Sequence, residues 1–282
     1  MMNMKIGLST CGKEINEELF SSFRSAGIEC MEISMPNDKH DSMDFGLLDS
    51  LSRRYDVEIW SYHLPFHAFK GALIDMSALE RDKRKYTLDY YSDIIKKGTN
   101  IGIEKFVIHP SCGPIEEDER MDRLNFAKET HMLLSEIASK EGATICVENL
   151  PRHGLGNTSD ELMEIVNCDE RLKICLDTNH FLKEDVCESV KKLAHKIVTL
   201  HVSDYDMIDE RHWLPGEGKI CWNKLYNNLK DYGYSGPWLY EVGYVSKTRK
   251  RQRLLSPPDY VRNANEIFGG GELSVIPSEL LI

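Results

Sequence analysis

Residues 173–180 read KICLDTNH, and this stretch decides the fold. Its apolar part, Ile174 to Leu176, is too short for a helix and sits between polar residues. That is the pattern of a strand buried on both faces. The run stops on a carboxylate, Asp177, followed by Thr178-Asn179-His180. Moving outward, the pattern recurs on both sides. TICVE (144–148) and KFVIH (105–109) precede it, and IVTLH (197–201) and PWLYE (237–241) follow. VEIWSYH (57–63) extends the series toward the N-terminus. Each run is short, rich in β-branched or aromatic residues, and ends on an acid or an imidazole.

Between these runs the chain alternates. Strands are expected at Lys5–Ser9, Glu29–Ser34, Val57–His63, Lys105–His109, Thr144–Glu148, Lys173–Asp177, Ile197–His201 and Trp238–Val242. Helices are expected at Glu14–Ala26, Phe45–Tyr55, Ser77–Gly98, Glu117–Lys140, Ser159–Val166, Glu184–His195, Trp222–Asp231 and Pro258–Phe268. Eight strand-helix units in a row imply an α/β fold, a single (β/α)8 barrel. Gly27, Gly102, Gly142 and Gly233 stand just before strands, where a left-handed residue ends the preceding helix. The loops after the strands are the long ones, as a barrel with its site at the C-terminal face requires. The barrel is expected to span residues 1–268, with 269–282 as a C-terminal tail that docks on it or on a second subunit.

Composition narrows the function. At 282 residues, with 41% hydrophobic and 29% charged residues, the chain is a globular domain, and no apolar run is long enough to span a membrane. The start, MMNMKIGLST, shows no export signal, and the eight cysteines form no CxxC pair, so a cytoplasmic protein with reduced thiols is expected. A net charge of −11 disfavours nucleic acid as a partner. The one basic run, Lys247 to Arg253, is expected as a solvated loop or helix start, with an anion contact as the alternative.

Glu148, Asp177, His201 and Glu241 end strands five to eight and therefore face one another at the barrel mouth. Carboxylates held that close repel unless a cation sits between them. Oxygen-rich ligation with one imidazole suits Mn²⁺, Mg²⁺ or Co²⁺, and more imidazole shifts the set toward Zn²⁺.

In combination, VENLP (147–151), CLDTNH (175–180), HVSD (201–204), PGEG (215–218) and YEVG (240–243) resemble the xylose-isomerase-like TIM-barrel superfamily. That group contains ketose 3-epimerases, inosose and hydroxypyruvate enzymes, sugar phosphate isomerases and apurinic-site endonucleases. The resemblance implies one divalent metal held by Glu148, Asp177, His201 and Glu241. It also implies an acid/base pair, Glu148 and Glu241, acting on a small carbohydrate through a metal-stabilised enediolate. By residue type and position, His180, Arg211 and His212 are candidates to bind substrate or further metal, and Phe66 and Trp213, with Trp60 and Trp238, are aromatics that either pack on a sugar in the pocket or belong to the barrel core. A homo-oligomer is a family-level expectation.

The endonuclease branch is the alternative. It holds three zinc ions with a larger set, for which His63, His109, His180, Glu210 and His212 stand at the matching positions. Glu210 replaces the family's aspartate there. His63-Leu64-Pro65-Phe66-His67 looks like the sugar branch instead, where an aromatic wall covers the substrate. The sugar reading is therefore the preferred one.

Overall fold

The computed structural model describes residues 4–66 and 74–282. Eight parallel strands form one sheet: β1 (Ile6–Ser9), β2 (Cys30–Ile33), β3 (Glu58–His63), β4 (Lys105–Ile108), β5 (Thr144–Glu148), β6 (Lys173–Asp177), β7 (Ile197–His201) and β8 (Trp238–Tyr240). Their order is β7-β6-β5-β4-β3-β2-β1-β8, and every pairing is parallel. The ring closes at a parallel bridge between Val202 and Tyr240. There Val202 N donates to Leu239 O at 2.8 Å, and Glu241 N donates to Val202 O at 3.1 Å. The helices between the strands are α1 (Glu17–Ala26), α2 (Phe45–Tyr55), α3 (Arg81–Thr99), α4 (Arg120–Lys140), α5 (Ser159–Val166), α6 (Val186–Leu193) and α7 (Trp222–Asp231); α8 (Pro257–Phe268) follows β8. This is a single (β/α)8 barrel. No described helix is long and apolar enough to cross a membrane.

The helices start and stop where their end residues dictate. Asn16, Asp44, Thr158 and Asp185 accept backbone hydrogen bonds at the starts of α1, α2, α5 and α6, supplying acceptors for otherwise orphan amides. Gly27, Gly102, Gly142 and Gly233 all carry φ between 78° and 90°, as a turn back into the next strand requires. Three strands end short of expectation: β2 at Ile33, β4 at Ile108 and β8 at Tyr240. His109 lies one residue past β4, and Glu241 one residue past β8.

Alternation along the strands sorts side chains into two cores. Ile145, Val147, Ile174 and Leu176 point outward and pack under the helices in one large cluster. Cys146 and Cys175 point inward with Val107 and form a small second cluster inside the ring. Above that plug the inward positions become polar: Glu32, Ser61, His63, Glu148, Asp177 and His201, all buried. Trp60 lies inside the ring as well, donating from Nε1 to Thr199 Oγ1 at 3.2 Å with Lys105 Nζ 3.8 Å over its ring. Trp238 packs outward between Trp222 and Phe268. Both tryptophans belong to the barrel scaffold.

The basic run behaves differently from expectation. Arg249–Arg251 form strand β9, paired antiparallel with β10 (Ser278–Leu280) from the C-terminal tail. The tail therefore docks on its own barrel. Arg251 makes a two-pronged ion pair with Glu217, at 2.6 and 3.0 Å, with both side chains almost fully buried. Arg249 donates to the Glu217 carbonyl at 2.8 Å and stacks over Trp213, 4.3 Å from its centroid. Alternating arginines of a short strand thus point into the turn that the PGEG stretch builds.

Candidate active site

Glu148 is the hub of the barrel mouth. Its Oε2 receives His63 Nε2 and His109 Nε2, each at 3.1 Å, and its Oε1 lies 2.9 Å from His201 Nδ1. Burial pushes the Glu148 carboxyl up, but the charges of His201 and His109 override this and hold it well below the usual carboxylate range. Asp177 sits beside it, fully buried. Its Oδ1 accepts the Asn179 amide at 2.6 Å, whereas Oδ2 is buried without a hydrogen-bond partner among the described residues. Burial raises Asp177 to about 7, against the pull of His180 and His212. Glu241 enters from β8, with Oε2 3.4 Å from His201 Nδ1, and 16% of its side chain stays open to the cavity.

Glu148, Asp177, His201 and Glu241 offer ligand atoms that all lie within 4.8 Å of one another. Three converging carboxylates and an imidazole, with one carboxylate oxygen left orphaned in the interior, fit a divalent cation. Two further groups meet the same distance limit: His63 with His109 and Glu148, and Asp177 with His180 and His212. Glu148 and Asp177 are each shared between groups, so the three form one continuous chain of ligands.

Four residues that hold this arrangement have no metal-ligand signature in the sequence expectations. Glu32, inward on β2, accepts His201 Nε2 at 3.1 Å and Ser61 Oγ at 2.8 Å. Its place in the alternation Cys30-Met31-Glu32, an acid inside a buried strand, was the available signal. Asn149 exchanges two hydrogen bonds with the Asp177 backbone, at 2.8 and 2.9 Å, and its carbonyl takes His180 Nδ1 at 2.8 Å. That fixes the His180 ring with Nε2 3.4 Å from Asp177 Oδ2. Asn179 accepts the amides of Arg211 and His212, which sets the loop after β7. Arg152 bonds Glu210 at 2.7 Å and Asp209 at 2.5 Å, bridging the loops after β5 and β7.

Glu210 Oε1 lies 3.1 Å from His212 Nε2 and 3.7 Å from His180 Nε2. Burial opposes charge on both rings, yet Asp177 and Glu210 lift His180 to about 10. Glu210, with Glu241 and Asp177, lifts His212 to about 9. Arg211 is held through Nε by Asp206 at 2.8 Å. Phe66 stacks on His109, centroids 4.1 Å apart, and lines a cavity of about 450 Å³ that also holds His180 and Glu210. A second cavity of about 450 Å³ runs over Glu241, His212, Arg211 and Cys11 to Lys247 and Thr248. Arg152 and Glu210 line both. Trp213 lines neither; it is 2% exposed and donates to Thr248 Oγ1. His67 and residues 68–73 lie outside the described residues.

The PGEG turn is built around Asp204, two residues after Val202. Asp204 accepts the amides of Gly216, Gly218 and Ile220 and the Trp222 indole. A Cβ at Gly218 would come within 2.3 Å of Asp204 Oδ1, so this glycine is needed for close approach. The turn is scaffold for the His212 loop.

A family model described as a xylose isomerase-like TIM barrel matches residues 20–265. The chain belongs to the xylose isomerase-like TIM barrel family. An uncharacterized protein of Methanocaldococcus jannaschii is 30% identical over 230 residues, covering 78% of this chain and 75% of its own. The probable endonuclease 4 of Thermoplasma acidophilum is 25% identical, covering 75% of this chain and 76% of its own. A solved D-tagatose 3-epimerase-like protein superposes with a TM-score of 0.73 at 27% identity, covering 84% of this chain and 90% of its own. Within this xylose isomerase-like TIM barrel, the strand-end acids and imidazoles read from the sequence do converge on one face.

Proposed function

We propose that the protein is a metal-dependent epimerase or isomerase of a small sugar, with Glu148 and Glu241 as its proton-transfer pair. The observation that carries this reading is the quartet itself: two glutamates from β5 and β8 meet over one imidazole, and Glu241 opens into a cavity of sugar size. The likeness to a D-tagatose 3-epimerase-like protein supports it.

The quartet would hold one divalent ion, which when bound would supply positive charge to offset the negative charge developing on the substrate's oxygens. The chain's own groups do the rest. Glu241, the accessible carboxylate, takes the proton from the carbon beside the carbonyl. Glu148 returns a proton at the opposite face or the neighbouring carbon, and the imidazole of His63, 3.1 Å from its Oε2, is placed to resupply it. Arg211 and His212 line the cavity where the substrate's hydroxyls would lie, and Phe66 closes the other lobe over His109.

A second reading, zinc-dependent cleavage of phosphodiesters at abasic sites, is favoured by one observation. The two flanking ligand groups, His63–His109–Glu148 and Asp177–His180–His212, stand ready for additional ions. The endonuclease 4 relative points the same way. Protein loaded in turn with Mn²⁺, Mg²⁺, Co²⁺ or Zn²⁺ separates the two when assayed on a ketose panel and on an abasic duplex. Ketose epimerisation with one ion bound per chain supports the first reading. Duplex cleavage with three zinc ions and no ketose turnover replaces it with the second.

A further inference from the structure

We infer that Arg152 sets how large a sugar this site accepts: clasped to Asp209 and Glu210, it walls one lobe of the barrel mouth off from the other. The inference rests on the sugar reading above and adds the substrate's size. Two cavities of about 450 Å³ open at the mouth, one over Glu241 and His212, the other over His109, His180 and Phe66. Among the described residues, those that line both are Arg152 and Glu210. The boundary is a bar of hydrogen bonds. Arg152, on the loop after β5, uses all three guanidinium nitrogens. Nε and Nη2 donate to Asp209 Oδ1 at 2.9 and 2.5 Å, and Nη1 donates to Glu210 Oε2 at 2.7 Å. Both acids stand on the loop after β7, so the bar bridges past β6, which lies between those strands in the sheet.

Both ends of the bar are fixed. Arg152 has a φ of 54°, left-handed for a residue with a side chain, and its carbonyl accepts Asn157 Nδ2 at 2.6 Å. Across the mouth, Asp206 Oδ1 accepts the amides of Ile208 and Asp209 at 2.9 and 3.0 Å, and Asn179 Oδ1 accepts that of Arg211 at 2.9 Å. Met207 and His212, on either side of the two acids, are left-handed as well, with φ of 63° and 49°. Such backbone is costly outside glycine and collects where function demands a set geometry. Of the five described residues that show it (Cys11, Asp56, Arg152, Met207 and His212), three belong to the two loops that make the bar. Strained turns at both ends suit a fixed wall rather than a swinging gate. An exposed ion pair holds weakly unless several charges share it, and here one half-exposed guanidinium serves two acids. A sugar carrying a second ring must break those contacts to reach across, whereas a single ring over Glu241 need not.

The test compares D-fructose with two ketoses that carry a second ring, lactulose and isomaltulose, on the metal-loaded enzyme. Binding is measured by calorimetry, together with turnover, for the wild type, Arg152→Ala and Asp209→Ala. Wild type is expected to bind D-fructose roughly 2- to 30-fold tighter than either disaccharide, the worth of two exposed ion pairs. In Arg152→Ala the ratio is expected to fall to about one, with the change in KM for the disaccharides rather than in kcat. Asp209→Ala, which removes one of the two acceptors, is expected to move the ratio part of the way. Crystal structures of wild type and Arg152→Ala give a reading that needs no substrate: the variant is expected to show one continuous cavity from Glu241 to Phe66. Disaccharides bound by wild type as well as D-fructose, a ratio unmoved by Arg152→Ala, or two lobes still separate in the variant overturns the wall. No binding of any of these sugars to either protein, with the variant's cavity continuous, leaves the wall standing and removes the sugar reading instead.

Discussion

Glu32 on β2 and His201 on β7 meet inside the barrel ring, with His201 Nε2 donating to Glu32 Oε2 at 3.1 Å. Both side chains are fully buried. The contact leaves Nδ1 of the same ring facing Glu148 and Glu241. A carboxylate behind a histidine fixes the tautomer and the ring orientation that a metal requires. Glu32→Gln keeps the shape and removes the charge. Its Mn²⁺ affinity, measured by calorimetric titration, is expected to fall roughly 10- to 100-fold. An affinity equal to wild type would reduce Glu32 to a packing residue.

The two glutamates of the quartet differ in burial, and their variants should differ accordingly. Glu148 is 1% exposed and belongs to two of the three ligand groups, whereas Glu241 belongs to one and opens to the cavity. Glu241→Gln is expected to lower kcat by roughly 10²- to 10⁴-fold, the usual range for a lost acid/base group, while metal stays bound. Glu148→Gln is expected to lose metal as well as turnover. Metal content after gel filtration, measured beside kcat, distinguishes them. Full metal retention in Glu148→Gln contradicts its role as hub.

His180 and His212 carry proton affinities raised from 6.5 to about 10 and about 9. A histidine with a raised pKa contributes stability that is complete below the unfolded value of 6.5 and lost as pH climbs through the folded value. The metal-free protein should therefore lose thermal stability between pH 6.5 and about 10. Saturating Mn²⁺ should flatten the fall, because liganding groups bind metal in their deprotonated state. Differential scanning fluorimetry across that window, with and without metal, checks it. A melting temperature that rises with pH in the metal-free protein would contradict the assigned partners.

Stability has a second anchor in the tail hairpin. The Glu217–Arg251 pair is almost fully shielded from water and ties the tail hairpin to the PGEG turn. Removing one partner strands the other's charge, which costs about 3–5 kcal/mol. Glu217→Gln is expected to destabilise by that amount in urea unfolding. A change under about 1 kcal/mol would show that the hairpin is held by its strand pairing alone.

The barrel was legible because its strands are short apolar runs that end on polar residues, a pattern that survives reading in one dimension. Glu148, Asp177, His201 and Glu241 were legible for the same reason: each is the terminal inward position of its strand, or one residue beyond it. Glu32 was less so: an acid inside a buried strand was a signal, but its partner, His201 on β7, lies 169 residues away and is known only from the fold. The hairpin was missed because Arg249 and Arg251 look like solvent-seeking charge. Only the buried Glu217, more than thirty residues away, makes a strand of them. Trp213 looked like a pocket wall from its position beside His212, but Arg249 covers it.

The central claim is that Glu241 and Glu148 move a proton on and off a sugar carbon at this quartet, and hydrogen exchange tests it most directly. A ketose is incubated with the Mn²⁺-loaded enzyme in D₂O, and the product is followed by proton NMR. The account predicts deuterium at the carbon beside the carbonyl, with exchange abolished in Glu241→Gln. Epimerised product that retains its original hydrogen, or exchange undiminished in Glu241→Gln, would contradict it.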